Sequence, residues 1–435
     1  MTYAQHFRAA AIFGCLTCAM TAQTLAQEPI FQDAPAKTRL TDRQSLMLSA
    51  ARASGAITGL KVQQIRPHAQ LEHALAHEAS KEITLALGET TTLTVSRASV
   101  AAREGAGIWR GEVDATGGQV TLMWWPDGQM AGAVQHEGRY FLIRPMGDSL
   151  HAVVELSQDL MPPEHQPQML VSSYDRFGQS NGALALRSVT AGMTDAAKRP
   201  APPRAGSAPP ARGKSGDVTI DVMVAYTKKA AESYSDIQRE LVELAIEEAN
   251  ESFRISNLGN IKLRLVHAYK TDYVEEGSHF DHVWRLADKG DGQMEEVHEL
   301  RSKHRADVVI LIVDDPKGCG LATRVHAEAH EAFAVVHHEC AATTHSVAHE
   351  IGHIIGARHD LNMDSIMTPF PYGHGYVNGT KWRDIMSYKE SCGGCPRVPV
   401  WSSPKVLVKG EAAGTANLDN ARVIAEQAAR VAAFR

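Results

Sequence analysis

The sequence lacks a strong charge of one sign, and beyond its N-terminal segment it lacks a long apolar run. It has 44 Lys and Arg against 50 Asp and Glu, a formal net charge of −6 over 435 residues. Such a balance gives no reason to expect a nucleic-acid or membrane-surface partner. No later stretch reaches the ~20 apolar residues that a membrane-spanning helix needs. The length and the 44% hydrophobic content are typical of a globular protein with about two or three domains.

The N-terminus has the pattern of an export signal. Arg8 precedes an apolar run, which is followed by small residues up to Ala26. This pattern predicts a signal peptide over residues 1–26. A membrane anchor is the alternative, but the run is interrupted by polar residues and is shorter than ~20 residues. We therefore expect a secreted, extracellular protein, with the periplasm as the alternative destination.

Cysteine is absent between residues 27 and 216. Two of the six cysteines, Cys15 and Cys18, lie in the predicted signal peptide. The other four are an even number, which in an exported chain favours disulfides, and four cysteines allow three connectivities. We favour the pairing of the nearest neighbours, and for the CGGC stretch the alternatives are a redox pair or half of a zinc site. The pairs that we favour are Cys319–Cys340 and Cys392–Cys395.

A linker separates two regions of different composition. Residues 195–216 are rich in Pro, Ala, Gly and basic residues, a composition that cannot bury a core. Before it, residues 27–194 contain short alternating runs separated by turn dipeptides, which predicts a β-rich region of hairpins. After it, residues 217–435 alternate strand-like and helix-like segments, which predicts an α/β domain with a mostly parallel sheet. Within this domain, residues 227–257 predict one long amphipathic helix.

The stretch THSVAHEIGHIIGARHD contains a candidate metal centre. His349 and His353 are four residues apart, so both rings face the same side of a helix. Glu350 lies beside the first ligand and can approach a water molecule on the metal without binding the metal itself. Gly356 is placed to end the helix, because glycine adopts positive φ without cost. The chain can then return His359 as a third ligand, which leaves one coordination position open, as in catalytic zinc sites.

The extended pattern is far more specific than H-E-x-x-H alone, which occurs by chance in proteins that are not enzymes. The longer motif requires a methionine turn downstream, and Met386 in RDIMSY can form an apolar floor beneath the histidines. Tyr388 is a candidate to donate to an oxyanion or to approach the zinc. We expect other histidines, such as His345 and His374, to be surface or loop residues. The turn at 288–292 lacks the ligand spacing of a calcium loop, so bound calcium has no support.

These residues resemble the metzincin metallopeptidases, and Asp360 after the last ligand is similar to the reprolysin-like branch. The stretches CGLAT, FAVVHHEC, AHEIGHIIGARHD and GYVNGTKWRDIMSYKESCGGCPRVPVWSSP resemble the peptidyl-Asp metallopeptidases of the Asp-N type, most strongly over residues 319–404. The resemblance implies a metzincin catalytic fold and hydrolysis of protein and peptide substrates on the N-terminal side of Asp. It also implies one zinc ion on His349, His353 and His359, Glu350 as the general base, and Met386 as the turn methionine.

A pocket that selects Asp after the scissile bond needs a fixed positive group, preferably an arginine that binds in a two-pronged manner. In metzincins the methionine turn and the segment after it form the wall of that pocket. The candidates are therefore Lys381, Arg383, Lys389 and Arg397. Each of these taken singly is more often an ordinary surface charge, and Arg358 is expected to point outward.

The resemblance further implies that residues 27–194 are a pro-region, which acts as the intramolecular inhibitor of a monomeric, latent precursor. Many metzincins use a pro-region cysteine on the zinc, and the absence of cysteine excludes that device here. Another side chain on the zinc or steric cover of the cleft remains. Gly216–Asp217 is a candidate self-processing site, with Lys198-Arg199 as a competing route. The alternatives are a metzincin endopeptidase of broad or other specificity and a non-catalytic, zinc-containing secreted binding protein.

Overall fold

The computed structural model describes residues 29–66, 81–103, 105–113, 118–165 and 216–435. The predicted signal peptide and almost all of the predicted linker lie outside the described residues. Within them, no helix has both the length and the apolar character required to cross a bilayer. We call residues 29–165 the N-terminal part and residues 216–435 the C-terminal part.

Nine strands form one antiparallel sheet in the N-terminal part. They are β1 (Phe31–Asp33), β2 (Ile57–Ile65), β3 (Glu82–Leu87), β4 (Thr91–Arg103), β5 (Ala106–Val113), β6 (Gly118–Trp124), β7 (Met130–His136), β8 (Arg139–Gly147) and β9 (Leu150–Ser157). Their spatial order is β1-β2-β9-β8-β7-β6-β5-β4-β3. From β3 to β9 each strand pairs with the next one in the chain, as short hairpin connections dictate.

The two ends of this sheet approach each other. Ile30 N–H donates to the Thr84 carbonyl at 3.0 Å, which joins the chain just before β1 to β3. Side chains alternate along the strands, so one face encloses a core of its own that includes Leu85, Leu122 and Phe141. The other face remains for packing against the rest of the chain.

A second sheet of five strands lies in the C-terminal part. Its strands are β10 (Val218–Tyr226), β11 (Ile261–Lys270), β12 (Val308–Val313), β13 (Gly320–Ala322) and β14 (Phe333–His337). The order is β11-β10-β12-β14-β13, in which three pairings are parallel and the β13–β14 pairing is antiparallel. The expected parallel pairings are therefore present here, whereas the largest sheet of the structure is antiparallel. Strand β13 forms one edge of the five-stranded sheet.

The described helices pack against these sheets. They are α1 (Asp42–Arg52), α2 (Lys228–Ala231), α3 (Leu244–Ile255), α4 (His279–Ala287), α5 (Glu296–Lys303), α6 (Ser346–Ile355) and α7 (Asn420–Val431). The prediction of one helix over 227–257 is wrong, because α2 ends at Ala231 and a π-helical turn (Gln238–Glu243) leads into α3. The Glu240 carboxylate accepts from Asp236 N–H at 2.6 Å, which stabilises the interruption. Two small hairpins complete the fold, β15 (Val377–Asn378) with β16 (Trp382–Arg383) and β17 (Ser403–Val408) with β18 (Glu411–Ala413).

The two parts share one hydrophobic core. Met123 and Leu142 of the nine-stranded sheet belong to the same buried cluster as Leu241 and Ile246 of the C-terminal part. Burial of apolar area contributes roughly 25 cal/mol per Å², so a shared core of this kind holds the parts together.

Charged groups reinforce this contact. Arg110 of β5 places Nη2 3.0 Å from Glu247 and Nε 3.1 Å from Glu251, both on α3. The three side chains are only 11–12% exposed. Glu247 also pairs with Arg103 at 3.2 Å, and Glu251 also pairs with Arg254, and both of these arginines are more exposed than Arg110. Loss of Arg110 would therefore remove the most buried cation of this network.

We expect Arg110→Ala to lower the free energy of unfolding of the full-length chain by about 2 kcal/mol, because two largely buried carboxylates each lose the more buried of their two arginine partners. Urea unfolding measures the change. Arg264→Ala is the control, since Arg264 pairs with Asp221 on the surface and such pairs contribute about 0–1 kcal/mol. Equal effects of the two substitutions would contradict the role of burial at this contact.

Candidate active site

Helix α6 ends at the position that the sequence predicts. Gly356 follows the helix with φ +137° and donates its N–H to the Gly352 carbonyl at 2.9 Å. A side chain at Gly356 would combine this backbone conformation with a Cβ only 2.9 Å from the Phe370 ring. Glycine is therefore required here by conformation and by space. The chain turns after it and brings His359 back towards the helix.

At Gly352, helix α6 lies directly on Trp401 and Met386. A Cβ built on Gly352 would approach the Trp401 ring to 2.6 Å and Met386 Sδ to 3.2 Å. Both side chains are fully buried, and Trp401 Nε1 donates to Ser252 Oγ at 3.0 Å. The absence of a side chain at Gly352 thus allows the turn that contains Met386 to pack beneath the histidines.

The three predicted ligands converge. His359 Nε2 lies 3.0 Å from His349 Nε2 and 2.9 Å from His353 Nε2. All three rings are buried, and their ligand atoms form one of the groups in the described residues that could hold a metal ion. The spacing of the motif therefore predicts the cluster correctly.

Hydrogen bonds orient two of the rings. The Nδ1 atom of His349 lies 2.9 Å from the Ile385 carbonyl, and Nδ1 of His353 lies 2.9 Å from the Ala357 carbonyl. A carbonyl can only accept, so each Nδ1 carries the proton and each Nε2 keeps its lone pair for a metal.

Electrostatics also favours neutral rings. Burial lowers the pKa of His353 to about 4. Burial also places the pKa values of His349 and His359 well below the usual range, and the neighbouring histidines lower them further. Three neutral imidazoles with converging lone pairs match the donor set of a catalytic zinc site, where Zn–N bonds are about 2.0–2.1 Å long. The residues present therefore fit a metal of this type.

Glu350 lies against the edge strand. Its Oε1 is 2.5 Å from the position that a Cβ on Gly320 of β13 would take, so glycine leaves room for the carboxyl group. The pKa of Glu350 is raised to about 8. Burial is the main cause and the Glu164 carboxylate adds to it, whereas the Ala322 backbone and Arg397 lower the pKa. A carboxyl group that exchanges its proton near neutral pH is suited to general acid–base chemistry.

Tyr388 points its ring at the third histidine. The two ring centroids are 4.5 Å apart in an edge-on arrangement with His359, and the buried Tyr388 hydroxyl has no hydrogen-bond partner within the described part of the chain. Burial raises the pKa of Tyr388, and the Glu164 and Glu350 carboxylates raise it further. The hydroxyl is therefore a neutral donor without an internal acceptor.

Asp360 connects the third histidine to the methionine turn. Its carboxylate accepts from Tyr388 N–H at 3.0 Å and from the Ser391 hydroxyl at 2.7 Å. The residue next to one ligand thereby fixes the segment that contains Tyr388. His374, expected to be a surface or loop residue, lies outside the helices and strands but is fully buried, with Nδ1 2.9 Å from the His359 carbonyl, so it supports the same turn.

One cavity of about 290 Å³ adjoins the metal-binding histidines and Glu350. Its walls include the three histidines, Glu350, all of strand β13, and the side chains of Arg324, Arg358 and Arg397. The expectation that Arg358 points outward is wrong, since its side chain lines the cavity and binds Asp364 at 2.8 Å.

The four candidates for a carboxylate pocket separate into two classes. Arg383 and Arg397 are buried, and both approach the carboxylate of Glu164. Lys381 is exposed and pairs with Glu411, and Lys389 reaches the Asp159 carbonyl at 3.5 Å. Neither lysine lines the cavity. The two lysines are therefore not part of this pocket, because their chains extend to the surface instead of into the cleft.

Sequence reasoning missed two residues of the cavity. Glu164 and His165 come from the last described residues of the N-terminal part and line the same space as the histidines. No motif spacing points to them, because the chain brings them in from the other sheet. Only the adjacent Pro162-Pro163 pair signals an extended segment.

A second group of ligand-type residues lies apart from the first. Ligand atoms of Asp314, His337 and His338 lie within 4.8 Å of one another. Lys229 approaches Asp314 at 3.3 Å, and the Tyr234 hydroxyl lies 2.9 Å from His338 Nδ1. These partners stabilise the group without a metal ion. Sequence analysis could not distinguish it from ordinary strand residues.

Both expected disulfides are present, Cys319–Cys340 and Cys392–Cys395. The first joins the residue before β13 to the loop before α6, and the second closes the loop between Tyr388 and Arg397. His345, also expected to be a surface or loop residue, lies directly before α6 with φ +56° and is buried there.

We expect Gly352→Ala to destabilise the protein by about 1–3 kcal/mol, because the new methyl group overlaps Trp401 and displaces the helix. The bound-metal stoichiometry should fall as well, since His349 and His353 lie on that helix. Urea unfolding and elemental analysis measure the two effects. Gly259→Ala is the matched control, because a Cβ there meets nothing within 4 Å. Indistinguishable behaviour of the two variants would contradict this packing.

Comparisons with known proteins agree with this geometry. The profile of metallo-peptidase family M12, Reprolysin_5, matches residues 217–402. The chain is 32% identical over 436 residues to a peptidyl-Asp metalloendopeptidase of Xanthomonas campestris pv. campestris, covering 96% of both chains. Peptidyl-Asp metalloendopeptidases from two strains of Stenotrophomonas maltophilia are 34% and 33% identical over 317 residues, covering 70% of this chain and 68% of each relative. The chain therefore belongs to the peptidyl-Asp metalloendopeptidase family of M12 metallopeptidases, and it is a metalloendopeptidase with protein or peptide substrates.

Proposed function

We propose that this enzyme is a zinc endopeptidase that cuts on the N-terminal side of Asp and is made as a latent, exported precursor. One observation carries the proposal: a single cavity is lined by three converging imidazoles, by Glu350 and by the guanidinium of Arg397. Hydrolysis before Asp needs a metal-binding set, a proton carrier and a cation for the substrate side chain. The cavity contains all three.

The residues divide the reaction among them. His349, His353 and His359 would hold the zinc ion, which would supply the Lewis acidity that makes water nucleophilic at neutral pH. Glu350 takes the proton of the attacking water and delivers it to the leaving amine. The Tyr388 hydroxyl donates a hydrogen bond to the substrate carbonyl oxygen as negative charge develops there.

Strand β13 provides a surface for an extended substrate. It is an edge strand with β14 on one side only, and it lines the cavity beside Glu350. A peptide can add to such an edge through backbone hydrogen bonds. The scissile bond would then be held beside the metal-binding histidines.

The Asp preference rests on two supports. The relatives named above are called peptidyl-Asp metalloendopeptidases, and the cavity offers a buried arginine to a carboxylate. A metalloendopeptidase of broad or other specificity is the second candidate, and it would use the same catalytic residues. A non-catalytic, zinc-containing binding protein is the remote third, for which the retained Glu350 would have no use.

Latency is supported by the position of the N-terminal part. Its last described residues, Glu164 and His165, lie within the cavity that a substrate would enter. This part contains no cysteine that could bind the zinc. Export and extracellular release rest on the predicted signal peptide at residues 1–26, and a monomer is the expected form.

The first test is digestion of an unbiased peptide mixture with processed protein, followed by mass spectrometry of the new ends. We expect cuts before Asp that disappear when a zinc chelator is added, because the nucleophile depends on the metal. Glu350→Ala is the control for contaminating proteases. Chelator-sensitive cuts without Asp preference would leave the zinc peptidase and remove the specificity.

The maturation site provides a second test. Gly216 and Asp217 are exposed directly before β10, so a protease can reach the bond between them. We expect the secreted enzyme to begin at Asp217, and we expect the Glu350→Ala precursor to remain uncut. N-terminal sequencing of both products decides. The same new N-terminus in the Glu350→Ala protein would show that another protease makes the cut.

A further inference from the structure

Two arginines are fixed side by side: Arg397 lines the cavity, whereas the buried Arg383 is not one of its lining residues and lies next to Arg397. Arg397 donates from Nη1 to the Thr344 carbonyl at 2.8 Å and from Nη2 to the Ser387 carbonyl at 3.2 Å. Arg383 donates from Nε to the same Ser387 carbonyl at 3.0 Å. The shared acceptor holds both guanidinium groups in place, and the residues are 1% and 3% exposed. Such a pair is a rigid anion-binding site and not a mobile surface charge.

Two buried cations in contact require an anion. Burial lowers the pKa of Arg383 and Arg397 lowers it further, whereas Glu164 acts in the opposite direction. The Glu164 carboxylate supplies the anion: Oε1 is bound by Arg397 Nη2 and lies 3.6 Å from Arg383 Nη2. Without it, the pair would be an uncompensated buried charge, which is strongly unfavourable.

The two arginines have more hydrogen-bonding capacity than Glu164 uses. Among the described residues, Arg397 Nε and Glu164 Oε2 are both buried without a hydrogen-bond partner. A carboxylate bound in the two-pronged manner typical of arginine would engage a second donor. The resident glutamate therefore satisfies the charge and leaves part of the hydrogen-bonding capacity of the pocket unused.

The backbone beside Glu164 lies against the substrate edge. The carbonyl of Pro163 accepts from Cys319 N–H at 3.0 Å, immediately before β13. A Cβ on Gly318 would lie 2.1 Å from His165 Nε2, so this glycine provides the space for the segment. Residues 161–165 thus occupy the approach to the edge strand and not a remote surface.

We propose that Arg397 and Arg383 form the subsite that binds the aspartate side chain following the scissile bond, and that Glu164 fills this subsite in the precursor as an internal substitute for that side chain. This inference rests on the function proposed above and names the residues that determine its specificity and its latency. Inhibition then works by occupation of the specificity pocket and not by ligation of the metal. In agreement, the metal-binding group contains the three histidines and no ligand atom of Glu164.

The resident segment differs from a substrate in three ways. Glutamate is one methylene longer than aspartate, so its backbone stands farther from the arginines when its carboxylate reaches them. The peptide carbonyl that precedes it is already hydrogen-bonded to Cys319 N–H. Pro162 and Pro163 also lack the N–H groups that an added strand needs for pairing. The segment can therefore bind in the pocket without being cut.

The first test compares uncut precursors. With Asp217→Ala present to block maturation and intactness verified by mass spectrometry, Glu164→Gln should raise turnover of an Asp-containing peptide about tenfold or more, because the neutral amide no longer pairs with the arginines. Glu155→Gln is the matched control, since Glu155 pairs with Arg139 on the same sheet, away from the cavity. Equal latency of the Glu164→Gln and Glu155→Gln precursors would overturn the inhibitory role.

A second test does not depend on the folding of a variant. The blocked hexapeptide LMPPEH, residues 160–165, should compete with an Asp-containing substrate for the mature wild-type enzyme. The same peptide with Gln in place of Glu should bind about tenfold more weakly or worse. Equal inhibition by both peptides, or none by either at millimolar concentration, would count against occupation of the pocket by the carboxylate.

A third test separates specificity from metal chemistry. In the mature enzyme, Arg397→Lys keeps the charge but loses the planar fork, so kcat/KM for a peptide with Asp after the scissile bond should fall about 100-fold. The fall for the matched Asn peptide should be much smaller, so that the ratio of the two kcat/KM values reports the loss of Asp preference, and elemental analysis shows that the metal is still bound. Lys381→Ala, on the surface, is the control. Full Asp preference in Arg397→Lys would overturn the subsite, whereas a wild-type enzyme without Asp preference would instead refute the proposed function.

Discussion

The metal-binding geometry depends on two backbone carbonyls. Ile385 and Ala357 each accept from the Nδ1 atom of a histidine, which determines that Nε2 faces the metal position. One carbonyl belongs to the turn that contains Met386, and the other follows the glycine that ends the active-site helix. Helix termination, turn and ligand orientation therefore depend on one another. The close contact of Gly352 with Trp401 fixes the position of the helix relative to the turn, and in that position both Nδ1 hydrogen bonds form.

The arrangement of the two buried arginines depends on charge and not on helix geometry. Arg383 and Arg397 are held by backbone carbonyls, and their buried charges are met by the carboxylate of Glu164. A site built to receive an anion is costly to leave empty. In the proposal made above, Glu164 of the N-terminal part supplies the anion in the precursor, and a substrate would supply it in the mature enzyme. The same electrostatic demand would then account for recognition and for latency.

The sequence was informative where chemistry requires fixed spacing. His349, His353 and His359 could be placed from helix periodicity and a glycine stop, and the disulfides could be assigned from proximity along the chain. The sequence was uninformative about which charged residues are buried in the cleft. Lys381 and Arg397 are equally plausible cations in a sequence, yet only the second lies in the cleft. Glu164 could not be found at all, because its position depends on how the nine-stranded sheet packs on the C-terminal part. The break in the helix predicted over 227–257 likewise arises from a local carboxylate contact.

The core shared by the two parts has a consequence for activation. Met123 and Leu142 pack in one cluster with Leu241 and Ile246, and a cut in the linker removes none of these contacts. In the proposed maturation, the N-terminal part would therefore stay bound as a separate chain after the cut, and activity would depend on dilution or on degradation of that fragment. Dissociation would expose an apolar face on the mature enzyme, where Arg110 had also neutralised Glu247 and Glu251. The lag between cleavage and activity would then depend on concentration, as in the dissociation of any two-chain complex.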